Sequence, residues 1–174
     1  MYDYQTIIHP LKPLYRVDSK ILILGSFPSV KTREYGFFYG HPQNRFWPLM
    51  ERIFNVALTR DIEERKAFLL EHRIALYDVI YQCDIIGSSD ASIQNVIPSD
   101  LGSIFRAADI RQVFCNGATS HRYYVKYQEP STGVKAVKLP STSPANARAG
   151  LDDLYRQWRM IGECIRCETD AVRI

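Results

Sequence analysis

The sequence predicts an α/β protein, a three-layer α/β/α sandwich around a central, mostly parallel sheet of four strands. Two observations carry this. Four short apolar runs of strand character alternate with stretches of helical periodicity, and parallel neighbours need crossovers of the helical kind. Three of the runs also close on chain-turning residues, at Gly25, at Asn116-Gly117 and at Pro140.

Lys20-Ile21-Leu22-Ile23-Leu24-Gly25 is a continuous apolar run that reads as a buried parallel strand running into a loop. Residues 45–54 place Phe46, Leu49, Met50, Ile53 and Phe54 three to four apart, and residues 61–71 set Phe68 and Leu69 in a charged frame; both read as amphipathic helices. Ile74-Ala75-Leu76-Tyr77-Asp78-Val79-Ile80 is the second strand. Residues 82–98 then read as a polar, irregular loop, long enough to carry function. Ser99 or Asp100 is placed to cap a helix through Phe105 and Ala108. Gln112-Val113-Phe114-Cys115 is the third strand, followed by a helix over residues 120–127, and residues 134–139 form the fourth strand. Residues 152–167 complete the reading as one helix with Leu154, Trp158, Ile161 and Ile165 on one face.

At 174 residues, 46% of them hydrophobic, the chain is read as a single domain spanning 1–174, with enough apolar mass for its own core. A charged fraction of 24% argues against disorder, and a net charge of +3 favours polyanions only mildly, so charge does not select a function. No run approaches the ~18 apolar residues of a membrane span, and Met1-Tyr2-Asp3-Tyr4-Gln5 lacks a basic start leading into an apolar core. The expectation is a cytoplasmic protein without a membrane partner. Cys83, Cys115, Cys164 and Cys167 are too few and scattered for a secreted disulfide framework. Cys164-Ile165-Arg166-Cys167 is a CxxC inside a helix without a paired partner motif, so no metal and no cofactor are expected.

Ligand sites in parallel sheets collect at the carboxyl ends of strands, which directs attention to the loops after Leu24, Val79, Cys115 and Leu139. The first reads Gly25-Ser26-Phe27-Pro28-Ser29 and, after a spacer, Tyr35-Gly36-Phe37-Phe38-Tyr39-Gly40-His41-Pro42-Gln43-Asn44-Arg45-Phe46-Trp47. So many aromatics beside Gly, Pro and a carboxamide make either an aromatic flap over the sheet end or a slot for a planar ligand. The last reads Leu139-Pro140-Ser141-Thr142-Ser143-Pro144-Ala145-Asn146-Ala147, with Arg148 following. No phosphate-binding Gly-x-x-x-x-Gly-Lys-Ser/Thr or Gly-x-Gly-x-x-Gly follows a strand.

These three stretches together resemble the uracil-DNA glycosylase superfamily, and within it the deoxyinosine (hypoxanthine) DNA glycosylases, its sixth family. The resemblance covers most of the chain. It implies a monofunctional glycosylase that hydrolyses the N-glycosidic bond of a deaminated base, hypoxanthine in the first place, in DNA, leaving an abasic site for base excision repair. A uracil-preferring glycosylase of the same fold, or a non-catalytic nucleotide- or DNA-binding module, are the alternatives. The similar mismatch-specific uracil glycosylases carry a catalytic Asn in the first loop where this chain has Phe27, so the resemblance moves the catalytic role to Asn44. An amide can orient water toward C1′ or hydrogen-bond the departing base, but it cannot act as a strong base.

By the same resemblance Gly25, Ser26, Phe27, Pro28, Tyr39, His41 and Asn116 bind the base, with Tyr39 as the stacking floor. Ser29, Ser141, Thr142, Ser143, Pro144, Asn146 and Arg148 meet DNA, the loop amides reaching phosphate oxygens. Tyr39 packed beneath a flap, His41 as a structural hydrogen-bonder, Asn116 as a turn residue and the 141–147 loop as a helix cover remain open. Asp78, Ser88, Ser89, Asp90 and Asn95 also fall in a stretch similar to that branch, Asp78 alternatively as a loop anchor. No lysine lies in the matched motifs, so no Schiff base is expected, and a monomer is the default state.

Overall fold

The protein, seen in a computed structural model, is described for residues 3–171; the reading of Met1 and Tyr2 falls outside them. In chain order the elements are β1 (Gln5–Ile8), β2 (Ile21–Gly25), α1 (Val30–Tyr35), α2 (Phe46–Phe54), α3 (Ile62–Glu71), β3 (Ile74–Asp78) and β4 (Ile80–Ile85). A single 3-10 turn, Asp90–Ser92, leads to β5 (Gln94–Pro98), α4 (Gly102–Ala107), β6 (Gln112–Asn116), α5 (Ala118–Tyr127) and α6 (Glu129–Thr132). β7 (Ala136–Leu139), α7 (Leu151–Trp158) and α8 (Met160–Ala171) complete the fold.

The main sheet has four strands in the order β3-β2-β6-β7, each pair parallel. Ile21, Leu22, Ile23 and Leu24 are all fully buried. Successive side chains of a strand point to opposite faces, so both faces of the sheet are covered, as a continuous apolar run requires. Leu24 pairs with Tyr77 and with Cys115, and Gly25 with Asp78. The register therefore brings Gly25, Asp78 and Asn116 to one edge of the sheet, at the carboxyl ends of β2, β3 and β6.

The segment expected to be irregular instead builds a second, antiparallel sheet in the order β1-β4-β5. Ile80, Cys83 and Ile85 are buried while Tyr81 is exposed, but register shifts between Ile80 and Gln82 and between Gln82 and Asp84 break the alternation by which a strand is recognised. The chain passes from one sheet to the other at Val79. There the Val79 and Ile80 amides donate to the carbonyls of Gly25 (2.9 Å) and Ser26 (3.2 Å).

Three further departures have local causes. Helix α1 is too short to show a period; Ser29 caps it by accepting from the Thr32 amide, and Gly36, in the left-handed region at φ 85°, ends it. The expected cap of α4 lies further on: Leu101 is the capping residue, Asp100 Oδ1 accepts from the Gly102 amide at 2.8 Å, and Ser99 is buried. The terminal helix breaks at Arg159, where the Gly162 amide donates to the Arg159 carbonyl in a tightened turn. The predicted apolar face survives the break, with Leu154, Trp158, Ile161 and Ile165 all buried. No helix among the described residues is long and apolar enough to cross a membrane.

Gln128, buried where α5 meets α6, ties the helical layer to both sheets. Its Nε2 donates to the carbonyls of Val79 (2.8 Å) and Ser99 (3.0 Å), the turning points at the ends of β3 and β5. Replacing it with leucine of similar size strands the Ser99 carbonyl, and Gln128→Leu is expected to cost about 1–3 kcal/mol, read as a lower urea midpoint at unchanged slope.

Candidate active site

A cavity of about 680 Å³ opens over the carboxyl edge of the main sheet. Its floor takes Gly25, Asp78 and Asn116 from three strand ends, and the loop after β2 adds Ser26, Phe27, Pro28 and Ser29. Tyr39, His41 and Asn44 come from the aromatic stretch, and Ser141, Thr142, Ser143, Pro144 and Asn146 from the last loop. The three motifs, more than 100 residues apart at their extremes, thus meet in one space. Arg148 is exposed and outside the lining. Ser88, Ser89 and Asp90 close one wall, whereas Asn95 stays on β5 and donates to Asp84.

Gly25 is required where it stands. A Cβ there would lie 2.4 Å from Asp78 Oδ1 and 3.1 Å from the Tyr39 hydroxyl. Asp78 is buried, and its Oδ2 takes a hydrogen bond from His9 Nε2 at 2.7 Å. His9 follows β1, so the second sheet delivers a residue to the first. Sequence reading missed it because a lone histidine near a terminus carries no motif.

The aromatic stretch divides between core and cavity. Phe37, Phe38, Phe46 and Trp47 are buried, and the Trp47 indole N–H donates to the Phe38 carbonyl at 3.1 Å. Tyr39 stacks on Phe46 with centroids 4.1 Å apart and planes 23° from parallel, which fills one of its faces. It adopts φ 55°, a left-handed conformation unusual for an aromatic residue, which reverses the chain between core and cavity. Its buried hydroxyl finds no hydrogen-bond partner among the described residues, and burial, followed by the charge of Asp78, raises its pKa.

Asn44 is held rigidly. The turn from His41 is closed by the Asn44 amide donating to the His41 carbonyl at 2.9 Å, and Asn44 Oδ1 accepts from the Phe46 amide at 2.9 Å, the first N–H of α2. This bond fixes which end of the amide is oxygen. One lone pair of Oδ1 stays free and Nδ2 donates to no protein acceptor among the described residues. His41 Nδ1 accepts from the Gln43 amide at 3.0 Å, so its proton sits on Nε2.

Arg45 joins the second motif to the third and was not singled out by sequence. Its guanidinium donates to the carbonyls of Ser143 (2.8 Å), Asn146 (2.9 Å) and Thr142 (3.4 Å) and also to that of Ala149, while its amide donates to Thr142 at 3.1 Å. Asn116 holds the same loop from the sheet: Nδ2 donates to Thr142 Oγ1 at 2.9 Å and Oδ1 accepts from the Thr142 amide at 3.0 Å. Both ends of the Asn116 amide are therefore engaged.

The loop's own amides are engaged as well. Those of Ser143 and Ala145 donate to the hydroxyls of Ser141 and Ser143, each at 3.2 Å, and that of Asn146 to the Ser143 carbonyl. The amides of Thr142, Ser143, Ala145 and Asn146 are thus used in shaping the loop, whose Ser141 and Ser143 line the cavity.

At the cavity mouth the Ser26 hydroxyl is shared between both oxygens of Asp90, at 3.1 Å each. Crowding strips water from the Asp90 carboxylate and raises its pKa, the hydrogen bond from Ser26 opposes that rise, and the charge of Asp78 adds to it. Lys31 at the rim pairs with Glu34. The cysteines are free thiols; burial pushes Cys83 up to about 11 and Cys115 up to about 12, which leaves both inert as nucleophiles near neutrality. No group of three or more metal-ligating side chains occurs among the described residues.

Fold and cavity define an α/β protein with an aromatic-and-amide pocket at the carboxyl ends of a parallel sheet. The chain belongs to the uracil DNA glycosylase superfamily, whose family model matches residues 13–160. It is 32% identical over 136 residues to a hypoxanthine DNA glycosylase of Methanosarcina acetivorans, covering 75% of this chain and 83% of the relative. A hypoxanthine DNA glycosylase of Methanosarcina barkeri is 32% identical over 146 residues, covering 79% and 87%. The solution structure of a candidate uracil DNA glycosylase from Methanosarcina acetivorans superposes with a TM-score of 0.76 at 26% identity, over 90% of this chain and 96% of that one.

Removing the guanidinium strips the Asn146 and Ala149 carbonyls of their donor and leaves those of Thr142 and Ser143 with a backbone partner alone. Arg45→Ala is expected to lower stability by about 2–3 kcal/mol and to make residues 141–149 the first site of proteolytic cleavage. Arg45→Lys, which keeps the charge and loses the planar fork, should recover little of either.

Proposed function

We propose that this chain is a monofunctional DNA glycosylase that hydrolyses the N-glycosidic bond of a deaminated base in DNA, hypoxanthine first, leaving an abasic site for base excision repair. The observation that carries this reading is the convergence of all three motifs on one cavity around a locked Asn44, in a chain similar over most of its length to two hypoxanthine DNA glycosylases.

The reacting nucleotide must leave the duplex to reach so recessed a space. The exposed face of Tyr39, opposite Phe46, is the stacking floor for the extruded base, and Phe27 and Phe38 bound it. Stacking of this kind contributes about 1–3 kcal/mol per base, which offsets part of the cost of unstacking. Breaking the glycosidic bond builds positive charge on the sugar and negative charge on the base. Asn44 serves that transition state by position: the free lone pair of Oδ1 orients a water toward C1′, and Nδ2 donates to the departing group. His41 offers its Nε2 proton from the same wall.

Around the cavity, Ser29, the Ser141 and Ser143 hydroxyls and Arg148 supply contacts to the DNA backbone, with Pro144 stiffening the loop. Thr142, Asn146 and Asn116 hold the loop in shape. The whole chain acts as one domain, as a cytoplasmic monomer, with DNA as its partner and no cofactor. Gly25 lets the backbone after β2 approach the base closely.

Incubation with oligonucleotides carrying a single deoxyinosine or deoxyuridine, followed by alkali, tests the activity. Strand scission at inosine is expected, and none at either lesion would end the proposal. Asn44→Ala should slow single-turnover excision by about 100-fold or more while DNA affinity changes only a few-fold. Borohydride should trap no covalent adduct; a trapped one would place a lysine, Lys31 first, in the chemistry.

A further inference from the structure

Helix α5 presents two unlike faces. Ser120, Tyr124 and Gln128, four apart, are buried and bonded inward: the Ser120 hydroxyl donates to the Leu24 carbonyl at 2.7 Å and the Tyr124 hydroxyl to that of Val134 at 2.6 Å. Arg122, Tyr123, Lys126 and Tyr127 lie on the other side, the two cations exposed and the two tyrosines half-buried beneath them. The Arg122 guanidinium stands over the Tyr123 ring, 5.1 Å from its centroid, and the Lys126 ammonium over the Tyr127 ring at 4.9 Å. The rings themselves are parallel within 9°, with centroids 6.1 Å apart. The hydrolytic scheme uses none of the four.

The charges on this face are left open. Lys31, Lys66 and Arg156 are each neutralised by an acidic residue of their own helix, Glu34, Glu63 and Asp153. Arg122 and Lys126 form no ion pair among the described residues, and α5 carries no acidic residue at all.

The same helix adjoins the cavity. It begins two residues after Asn116, and because β6 and β7 are parallel the connection between them must return, so α5 runs from the rim back along the flank of the sheet for about 15 Å. Burial raises the pKa of Asp90 at the cavity mouth, and among the groups that oppose the rise are the Arg122 charge and the Thr119 hydroxyl, one turn apart on α5. A path of cations and rings thus leads away from the place where the base is received.

We propose that this face of α5 is a track for the unpaired DNA strand flanking the damaged nucleotide, Arg122 and Lys126 meeting successive phosphates and Tyr123 and Tyr127 receiving its bases. This rests on the glycosylase reading above and adds the form of DNA that the site takes, a lesion beside a single-stranded stretch. The cations are about 6 Å apart along the helix axis, close to the step between neighbouring phosphates of an extended strand. Two features select a single strand over a duplex. Paired bases keep their faces stacked on one another, so tyrosine rings add little to duplex binding, whereas unpaired bases of any sequence stack on them. The track also turns down from the rim. A duplex, stiff over about 150 base pairs, lies straight across the cavity mouth and leaves the flank uncovered, while a single strand bends over the edge at little cost.

Fluorescence anisotropy on DNA carrying non-cleavable 2′-fluoro-deoxyinosine near one duplex end tests the track. That end is left blunt or continued by about six unpaired nucleotides, on the 5′ or the 3′ side of the lesion. Extension on one side is expected to tighten wild-type binding about 10-fold at low salt, and on the other by less than about 2-fold. On the favoured side the logarithmic salt dependence of affinity should steepen by about 1.4, from two phosphates at about 0.7 each. Arg122→Gln with Lys126→Gln should remove the added salt dependence and most of the gain. Tyr123→Leu with Tyr127→Leu, which keeps apolar bulk beneath the cations, should remove most of the gain at an unchanged salt slope. The gain is a ratio between two DNAs bound by the same protein, so a variant that merely folds poorly weakens both and leaves the ratio intact.

Absence of a one-sided gain in the wild type, or a gain that either double variant keeps in full, overturns the track while wild-type excision of inosine stands. Absence of wild-type excision of any deaminated base removes the reading on which it rests.

Discussion

The geometry of the site depends on one guanidinium. Arg45 sits at the start of α2, whose buried Phe46 and Trp47 anchor it in the core, and from there it gathers the carbonyls of a loop nearly 100 residues further along the chain. Carbonyls that converge on a point repel one another unless a cation sits at that point. The arginine therefore joins Asn116 in holding the loop's shape, and the residue just before Arg45 is Asn44. One short segment thus places the amide on one wall of the cavity and the last loop on another, so their separation is set by a few covalent bonds.

The sheet supplies the fixed reference. Parallel pairing in register brings Gly25, Asp78 and Asn116 to the same level, and each does different work there: Gly25 by having no side chain, Asp78 by accepting from His9, Asn116 by binding Thr142 through both ends of its amide. The second sheet adds what the first lacks. By turning at Val79 the chain carries β4 across to β1, and β1 brings His9 behind Asp78. The segment that follows β1 in this way reaches the inner wall of the pocket before it bridges to Leu76 of β3 at Leu14.

Much of this was legible in the sequence, because β2, β3 and β6 are mainly apolar runs and the motif residues sit at strand ends. The apolar face of the terminal helix was legible too, since Leu154, Trp158, Ile161 and Ile165 keep helical spacing across the break at Arg159. The second sheet was hidden because register shifts in β4 destroy its period and its outward face is polar. Residues whose role lies in reach, such as Arg45, or in a distant encounter, such as His9 with Asp78, carry no local pattern. Asn116 at a strand end reads equally as a ligand contact or as a brace, and its two bonds to Thr142 show that it braces the last loop.

The cavity is built from two materials of unequal firmness. Its floor is strand backbone, with Gly25 on β2 and Asn116 on β6 each flanked by paired strands, so those amides should exchange hydrogen slowly. Its rim at residues 143–149, beyond the Thr142 that Asn116 holds, is pinned by a partly exposed arginine and by hydrogen bonds within the loop, and it should open more readily. The two sets of amides should thus fall into separate classes of exchange rate.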